Sequence, residues 1–315
     1  MSLLSRLGAR LDTAGGEARM KRFREGWPAR ATAGVAFFRT PKVQYRFLVA
    51  GAGPTIVFTA DPPMTIEIYG ELVEVFARDF RVVVVELPAM GFSATGGDYG
   101  FAFRETNDDL ALFLAEVAGP GAIFAFSCVA GLAAVDIAAR RPELCAALTL
   151  MQTGDVAASA RWKQGRDPKG VLAKPVFGQL AMRRLGPSRM PLWYRLSVGR
   201  KERIEAFCAC AQRSFEHGAL WSLASAYQIY MDPGLVLERP AQPLLSLWGG
   251  ADGSHAAENA HTLRSLVPDA VCETYPDLGH TPELEDPARV KASISAFLAR
   301  PASSSVETRF ARASG

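Results

Sequence analysis

No stretch of the chain approaches the ~18 consecutive apolar residues of a membrane-spanning helix, so no span is expected. The start, Met1-Ser2-Leu3-Leu4-Ser5-Arg6, lacks the apolar segment of a secretory signal. Cysteine is sparse and irregular: five residues, at 128, 145, 208, 210 and 272. An odd count without regular spacing argues against a disulfide framework and for a reducing compartment, so a cytoplasmic location is expected. Cys208-Ala209-Cys210 has no neighbouring His-rich motif, and adjacent positions on a helix diverge, so no metal site is expected. Charge of one sign is also lacking. A net charge of +3 is too small to suggest a nucleic-acid partner.

What is present is ordinary for a globular protein: 315 residues, 49% apolar and 21% charged. That length suits one large α/β domain with an insertion, or two smaller domains. Residues 1–40 read as a basic, partly helical extension. Beyond them, apolar runs alternate with helical spacing. Residues 43–49, 55–58, 82–85, 122–126, 147–151, 244–248 and 271–275 read as strands. Residues 67–80, 108–117 and 288–299 read as helices. The β-branched run Val82-Val83-Val84-Val85 is the pattern of a parallel strand covered on both faces. Such alternation predicts a doubly wound, mostly parallel sheet. The expected core is 41–154 with 236–300, and the tail 301–315 is small, polar and expected to be disordered.

Between 155 and 235 the alternation stops, and aromatic residues recur at loose helical spacing. This segment is expected to form a helical insertion over the sheet. It holds thirteen lysines and arginines against six acidic residues, far more basic than the whole chain. A solvated helix face explains such a charge; so does attraction to an anionic partner.

Three motifs fall in a telling order. Cys128 precedes a small-residue stretch, Val129-Ala130-Gly131-Leu132-Ala133-Ala134, that ends in Arg141-Pro142-Glu143. Leu247-Trp248-Gly249-Gly250-Ala251-Asp252 follows, then Gly279-His280 with Glu285 and Pro287. An upstream turn, Glu86-Leu87-Pro88-Ala89-Met90-Gly91-Phe92-Ser93, completes the set. Over residues 43–300 the chain resembles the α/β-hydrolase family, with its strand-to-helix nucleophile elbow, acid and histidine in that order. The resemblance implies an α/β-hydrolase fold with a helical cap at 155–235. It also implies a nucleophile at Cys128, an orienting acid at Asp252 and a general base at His280. Ser127 is the alternative nucleophile and Asp155 the alternative acid. Val129 and Asp61 would supply the oxyanion-hole N–H groups, because Pro62 and Pro63 have none.

A thiol at a helix N-terminus beside an imidazole should be acidic and reactive. The sequence departs from the family at Phe126, where a small residue is usual, and at Thr59-Ala60-Asp61-Pro62-Pro63, where His-Gly is usual. A carboxylate at Asp61 beside an oxyanion would be unfavourable. A cysteine enzyme that attacks a thioester conserves the activated bond. The expected activity is therefore acyl transfer (thioesterase, acyltransferase or cyclase) through a Cys128 thioester. The acyl substrate could be carried on coenzyme A or a carrier protein, with no cofactor needed. Ester, lactone or carbon–carbon bond hydrolysis is the second expectation. A catalytically inactive binding protein is the third.

Overall fold

The computed structural model describes residues 2–14, 34–231 and 234–300, apart from the side chain of Leu220. The expected disorder of 301–315 lies outside the described residues. In chain order, α1 is Leu3–Thr13, β1 Val35–Arg39, β2 Val43–Ala50, β3 Thr55–Ala60, α2 Gly70–Phe76 and β4 Arg81–Glu86. Two short strands, β5 Met90–Gly91 and β6 Ala94–Thr95, precede α3 Phe103–Phe113, β7 Ala122–Ala125, α4 Ala130–Arg140 and β8 Cys145–Met151. Next come α5 Val156–Arg166, α6 Phe177–Ser197, α7 Ile204–Glu216, β9 Leu220–Trp221, β10 Leu244–Gly249, β11 Val271–Tyr275 and α8 Pro287–Leu298.

The main sheet runs β1-β2-β4-β3-β7-β8-β10-β11. From β4 to β11 every pairing is parallel; β1 and β2 join the edge antiparallel. Val82, Val83, Val84 and Val85 are fully buried, as a strand covered on both faces requires. Their side chains alternate between two apolar clusters, one on each side of the sheet.

Several boundaries differ from the sequence reading: the helix read over 108–117 begins at Phe103, and two others bear on the architecture. β1 lies inside the supposed 1–40 extension and pairs along its whole length with β2, so the sheet begins at Val35. The basic residues around this segment obscured its Val-Ala-Phe-Phe pattern. The helix expected over 67–80 ends at Phe76, where Ala77 caps it by donating its N–H to the Val73 carbonyl.

The segment after β8 is largely helical. It is tied down at two places that matter for the site. The carbonyls of Leu196 and Ser197, at the end of α6, accept from the N–H groups of Gly253 (3.0 Å) and His280 (2.7 Å). β9 pairs antiparallel with β5. α1 also packs on this layer: Asp12 Oδ2 accepts from the Ser225 N–H at 3.1 Å and from its hydroxyl at 2.6 Å.

Candidate active site

Strand β7 turns into α4 through Ser127 and Cys128. Cys128 has φ of 55°, a left-handed conformation that a β-carbon makes unfavourable. The strain is held by hydrogen bonds on both sides: Cys128 N–H donates to the Met151 carbonyl at 2.9 Å, and Thr153 Oγ1 donates to the Cys128 carbonyl at 2.9 Å. Gly131 permits this clamp, because a β-carbon there would lie 2.1 Å from Thr153 Oγ1. Phe126, the residue too large for the usual elbow, is fully buried. It stacks on Phe124 (5.3 Å) within the apolar cluster on one side of the sheet.

The elbow residue is Cys128, and Ser127 points elsewhere. Its hydroxyl donates to Glu283 Oε1 at 2.8 Å and is buried away from the cavity. Successive residues leaving a strand face opposite sides, so only one of the pair can reach the open edge. Asp155 is likewise not brought to the histidine. It caps α5, accepting from the Ala158 N–H at 2.7 Å.

Asp252 and His280 do meet: His280 Nδ1 lies 2.8 Å from Asp252 Oδ2. Asp252 is buried and densely bonded. Its Oδ2 also accepts from Gln152 Nε2 (2.9 Å), and its Oδ1 from the Ser254 N–H (2.7 Å). Glu285, the glutamate of the histidine motif, accepts from the N–H groups of Gly279 (3.0 Å) and Arg200 (2.8 Å), which fixes the loop. Glu86, at the head of the upstream turn, accepts from the Phe92 N–H at 2.6 Å and pairs with buried Arg46 at 2.8 Å.

His255, which stands in no motif, also joins the site. Its Nδ1 lies 2.9 Å from the same Asp252 oxygen, and its ring is hydrogen-bonded to the Cys128 thiol. The ring lies parallel to Trp162 (centroids 5.4 Å) and 4.8 Å from the ring of His280. No motif marks His255; only its place three residues after Asp252 could have suggested it. Gln152 was missed for the same reason, since its contact depends on β8 and β10 being neighbours.

The two N–H groups expected at the oxyanion hole differ in their partners. Val129 opens α4, and its N–H has no partner among the described residues. The Asp61 N–H, the expected second donor, is instead given to Tyr69 Oη at 3.2 Å. The Asp61 carboxylate turns to the site, with Oδ2 3.2 Å from His280 Nε2.

Electrostatics follow from this array. Burial and the Asp61 carboxylate push the Cys128 thiol up, but His280 and the hydrogen bonds from His255 and His280 outweigh them, so its pKa falls below the ordinary value. Burial opposes charge on His280, yet Cys128, Asp252 and Asp61 raise its pKa well above the usual range. Burial likewise opposes ionisation of Asp252, and the two imidazoles hold its carboxyl well below the usual carboxylate range. By contrast, burial pushes Cys145 up to about 12. Two donor sets, Asp61–Cys128–His280 and Asp252–His255–His280, each lie within 4.8 Å. Their ring nitrogens are already engaged in hydrogen bonds and ion pairs, the pattern of an acid–base array.

Cys128, Asp61 and His280 open into a cavity of about 1370 Å³ between sheet and cap. Leu87, Met182, Trp193, Trp221, Tyr227 and Tyr230 make much of its wall. Lys169 and Arg189 also line it and form no ion pair among the described residues.

Residues 47–292 match the model of the alpha/beta hydrolase family. The chain belongs to that family. No curated protein matches it by sequence. Solved structures resemble it at low identity. A thermophilic esterase from Thermogutta terrifontis is 22% identical, with a TM-score of 0.64 over 84% of this chain and 96% of the other. A probable hydrolytic enzyme from Pseudomonas aeruginosa is 16% identical, with a TM-score of 0.64 over 84% and 94%. An epoxide hydrolase from Bacillus megaterium is 18% identical, with a TM-score of 0.61 over 84% and 100%. At these identities the likeness speaks to the fold. Among the described residues no helix is long and apolar enough to cross a membrane.

Proposed function

We propose that this member of the hydrolase family is an acyl-transfer enzyme that carries its acyl group as a thioester on Cys128. The observation that carries the reading is the placement of Cys128. A strained elbow directs its thiol into the cavity, beside imidazoles held by a buried aspartate. Residues kept in such strained conformations cluster at functional sites. In the proposed reaction the thiol loses its proton to the imidazole pair and attacks the acyl carbonyl. Asp252 orients the rings and stabilises the imidazolium. The Val129 N–H faces the developing oxyanion. His280 is the histidine that the family pattern assigns as base.

The cavity supports a large, apolar or aromatic acyl group. Lys169 and Arg189 on its wall, and the basic cap around them, favour a donor with an anionic handle, such as coenzyme A or a phosphopantetheine carrier. Attack on a thioester by Cys128 exchanges one thioester for another, so the acyl group stays activated for an alcohol, amine or carbon acceptor. The second reading is hydrolysis of an ester or lactone with water as acceptor, which membership of the hydrolase family favours.

The test compares turnover of acyl-coenzyme A thioesters with that of simple esters and lactones, for wild type and Cys128→Ala. Acyl transfer predicts thioester turnover that depends on Cys128. Unchanged thioester turnover in Cys128→Ala would refute it, and a preference for esters or lactones would favour hydrolysis.

A further inference from the structure

We propose that His255, not His280, is the base that takes the Cys128 proton, and that His280 serves as a fixed imidazolium beside the sulfur. The inference rests on the Cys128 reading above and changes the division of labour within it.

A ring nitrogen can accept a proton only with a free lone pair. An ionised carboxylate has acceptors and no donor, so an imidazole nitrogen facing one must carry a proton. His280 faces a carboxylate at each end: Asp252 Oδ2 at 2.8 Å from Nδ1, and Asp61 Oδ2 at 3.2 Å from Nε2. Both nitrogens are then protonated, and the ring has no lone pair to offer Cys128. His255 differs. Its Nδ1 meets Asp252 Oδ2 at 2.9 Å and Ser254 Oγ at 3.0 Å. That leaves Nε2, which meets no carboxylate among the described residues, for the ring's hydrogen bond to the thiol. These proton positions are assigned from the partners each nitrogen meets.

The arrangement also accounts for Asp61. A carboxylate in the oxyanion loop makes no sense as a hydrogen-bond donor, and its own N–H is spent on Tyr69. As the second anchor of an imidazolium it has a role, because it keeps one positive charge next to Sγ throughout the cycle. Burial and the charge on His280, whose ring is only 4.8 Å away, oppose charge on His255; Asp252 and Cys128 outweigh them and raise its pKa, which makes it a ready acceptor for the thiol proton. The groups facing the pair are Asp61, Cys128, Asp252 and, beyond Ser127, Glu283, which burial pushes up to about 7.

In the acylation step the Cys128 S–H bond breaks and its proton moves to His255 Nε2. The sulfur electron pair forms a bond to the acyl carbonyl carbon, whose π pair moves onto oxygen. That pair then re-forms the carbonyl as the bond to the donor sulfur breaks. His255 returns its proton to the departing thiolate.

The test is ¹⁵N NMR of the histidine-labelled full chain, with rings assigned by single His→Gln replacements. In Cys128→Ala at pH 8, both His280 nitrogens should remain protonated, and adding Asp61→Asn should return the ring to ordinary titration. A His280 that loses its Nε2 proton in Cys128→Ala alone, or keeps it after Asp61→Asn, overturns the proposal. A second readout needs no substrate. His255→Gln should slow iodoacetamide alkylation of Cys128 at least tenfold at pH 7 and leave it near wild type at pH 10, where the thiol ionises unaided. Alkylation within twofold of wild type at pH 7 would overturn it. If acyl transfer itself is wrong, these ionisation results stand while no acyl adduct forms.

Discussion

Replacing Gly131 with alanine tests how the elbow is held. The added β-carbon would lie 2.1 Å from Thr153 Oγ1, 2.5 Å from its Cγ2 and 2.8 Å from its Cβ. All three contacts are closer than real β-carbons tolerate, and Thr153 is buried, so the whole side chain must move. Overpacking of this kind costs about 1–3 kcal/mol. Moving Thr153 also breaks its hydrogen bonds to the carbonyls of Cys128 (2.9 Å) and Met151 (3.0 Å), at about 1–3 kcal/mol. Better helix propensity returns at most about 1 kcal/mol. The net loss is about 1–5 kcal/mol, which for a chain of this length lowers Tm by roughly 2–8 °C. Thermal unfolding followed by circular dichroism measures it. Thr153→Ala removes the clashing atoms, so Gly131→Ala/Thr153→Ala should be more stable than Gly131→Ala alone, with a coupling of at least about 1 kcal/mol. A Gly131→Ala protein within 1 °C of wild type (on the order of the 1 kcal/mol resolution of such a scan), or no rescue by Thr153→Ala, would refute the reasoning.

Other outcomes follow from the same geometry. Peptide mapping after brief iodoacetamide treatment at pH 7 should find Cys128 modified long before Cys145. At about 12, Cys145 has a thiolate fraction of only ~10⁻⁵ at that pH; comparable labelling would contradict the assigned environments. Asp252→Asn removes the charge that both imidazoles share, so turnover should fall by about 10⁴-fold; a loss under tenfold would mean that Asp252 orients neither ring. Glu283 has an ordinary value of 4.5 but holds its proton to about 7 when buried. The native state therefore binds more protons than the unfolded chain between those values, and stability falls as pH rises across that window. Glu86 and Glu285 are likewise pushed up to about 7, so Glu283→Gln should reduce, without abolishing, the fall of Tm from pH 4.5 to 7.5, and an unchanged slope would assign the effect to those two.

Much of the fold was legible because buried strands leave long β-branched runs. Val82–Val85, Leu244–Trp248 and Val271–Tyr275 were all recognised, and each is a strand. β1 was not, since five residues amid basic neighbours carry too little pattern and gain their identity from pairing with β2. Within the site, Cys128, Asp252 and His280 stand in local motifs, and the structure brings the last two into contact. His255, Gln152 and the true use of the Asp61 N–H depend on contacts that only the folded chain creates. Asp61 shows the difference well. The two prolines that follow pointed to its N–H as an oxyanion donor, whereas that N–H is given to Tyr69, brought close by the turn into α2. Phe126 warned of a crowded elbow; its burial against Phe124 became visible only in the packed core.

The central claim is a covalent acyl group on Cys128. Intact-protein mass spectrometry after exposure to an aryl- or medium-chain acyl-coenzyme A tests it most directly, with peptide mapping to place the adduct. A single added acyl mass is expected on Cys128, absent from Cys128→Ala and removed by hydroxylamine, as a thioester should be. No adduct during turnover, with activity retained in Cys128→Ala, would contradict it.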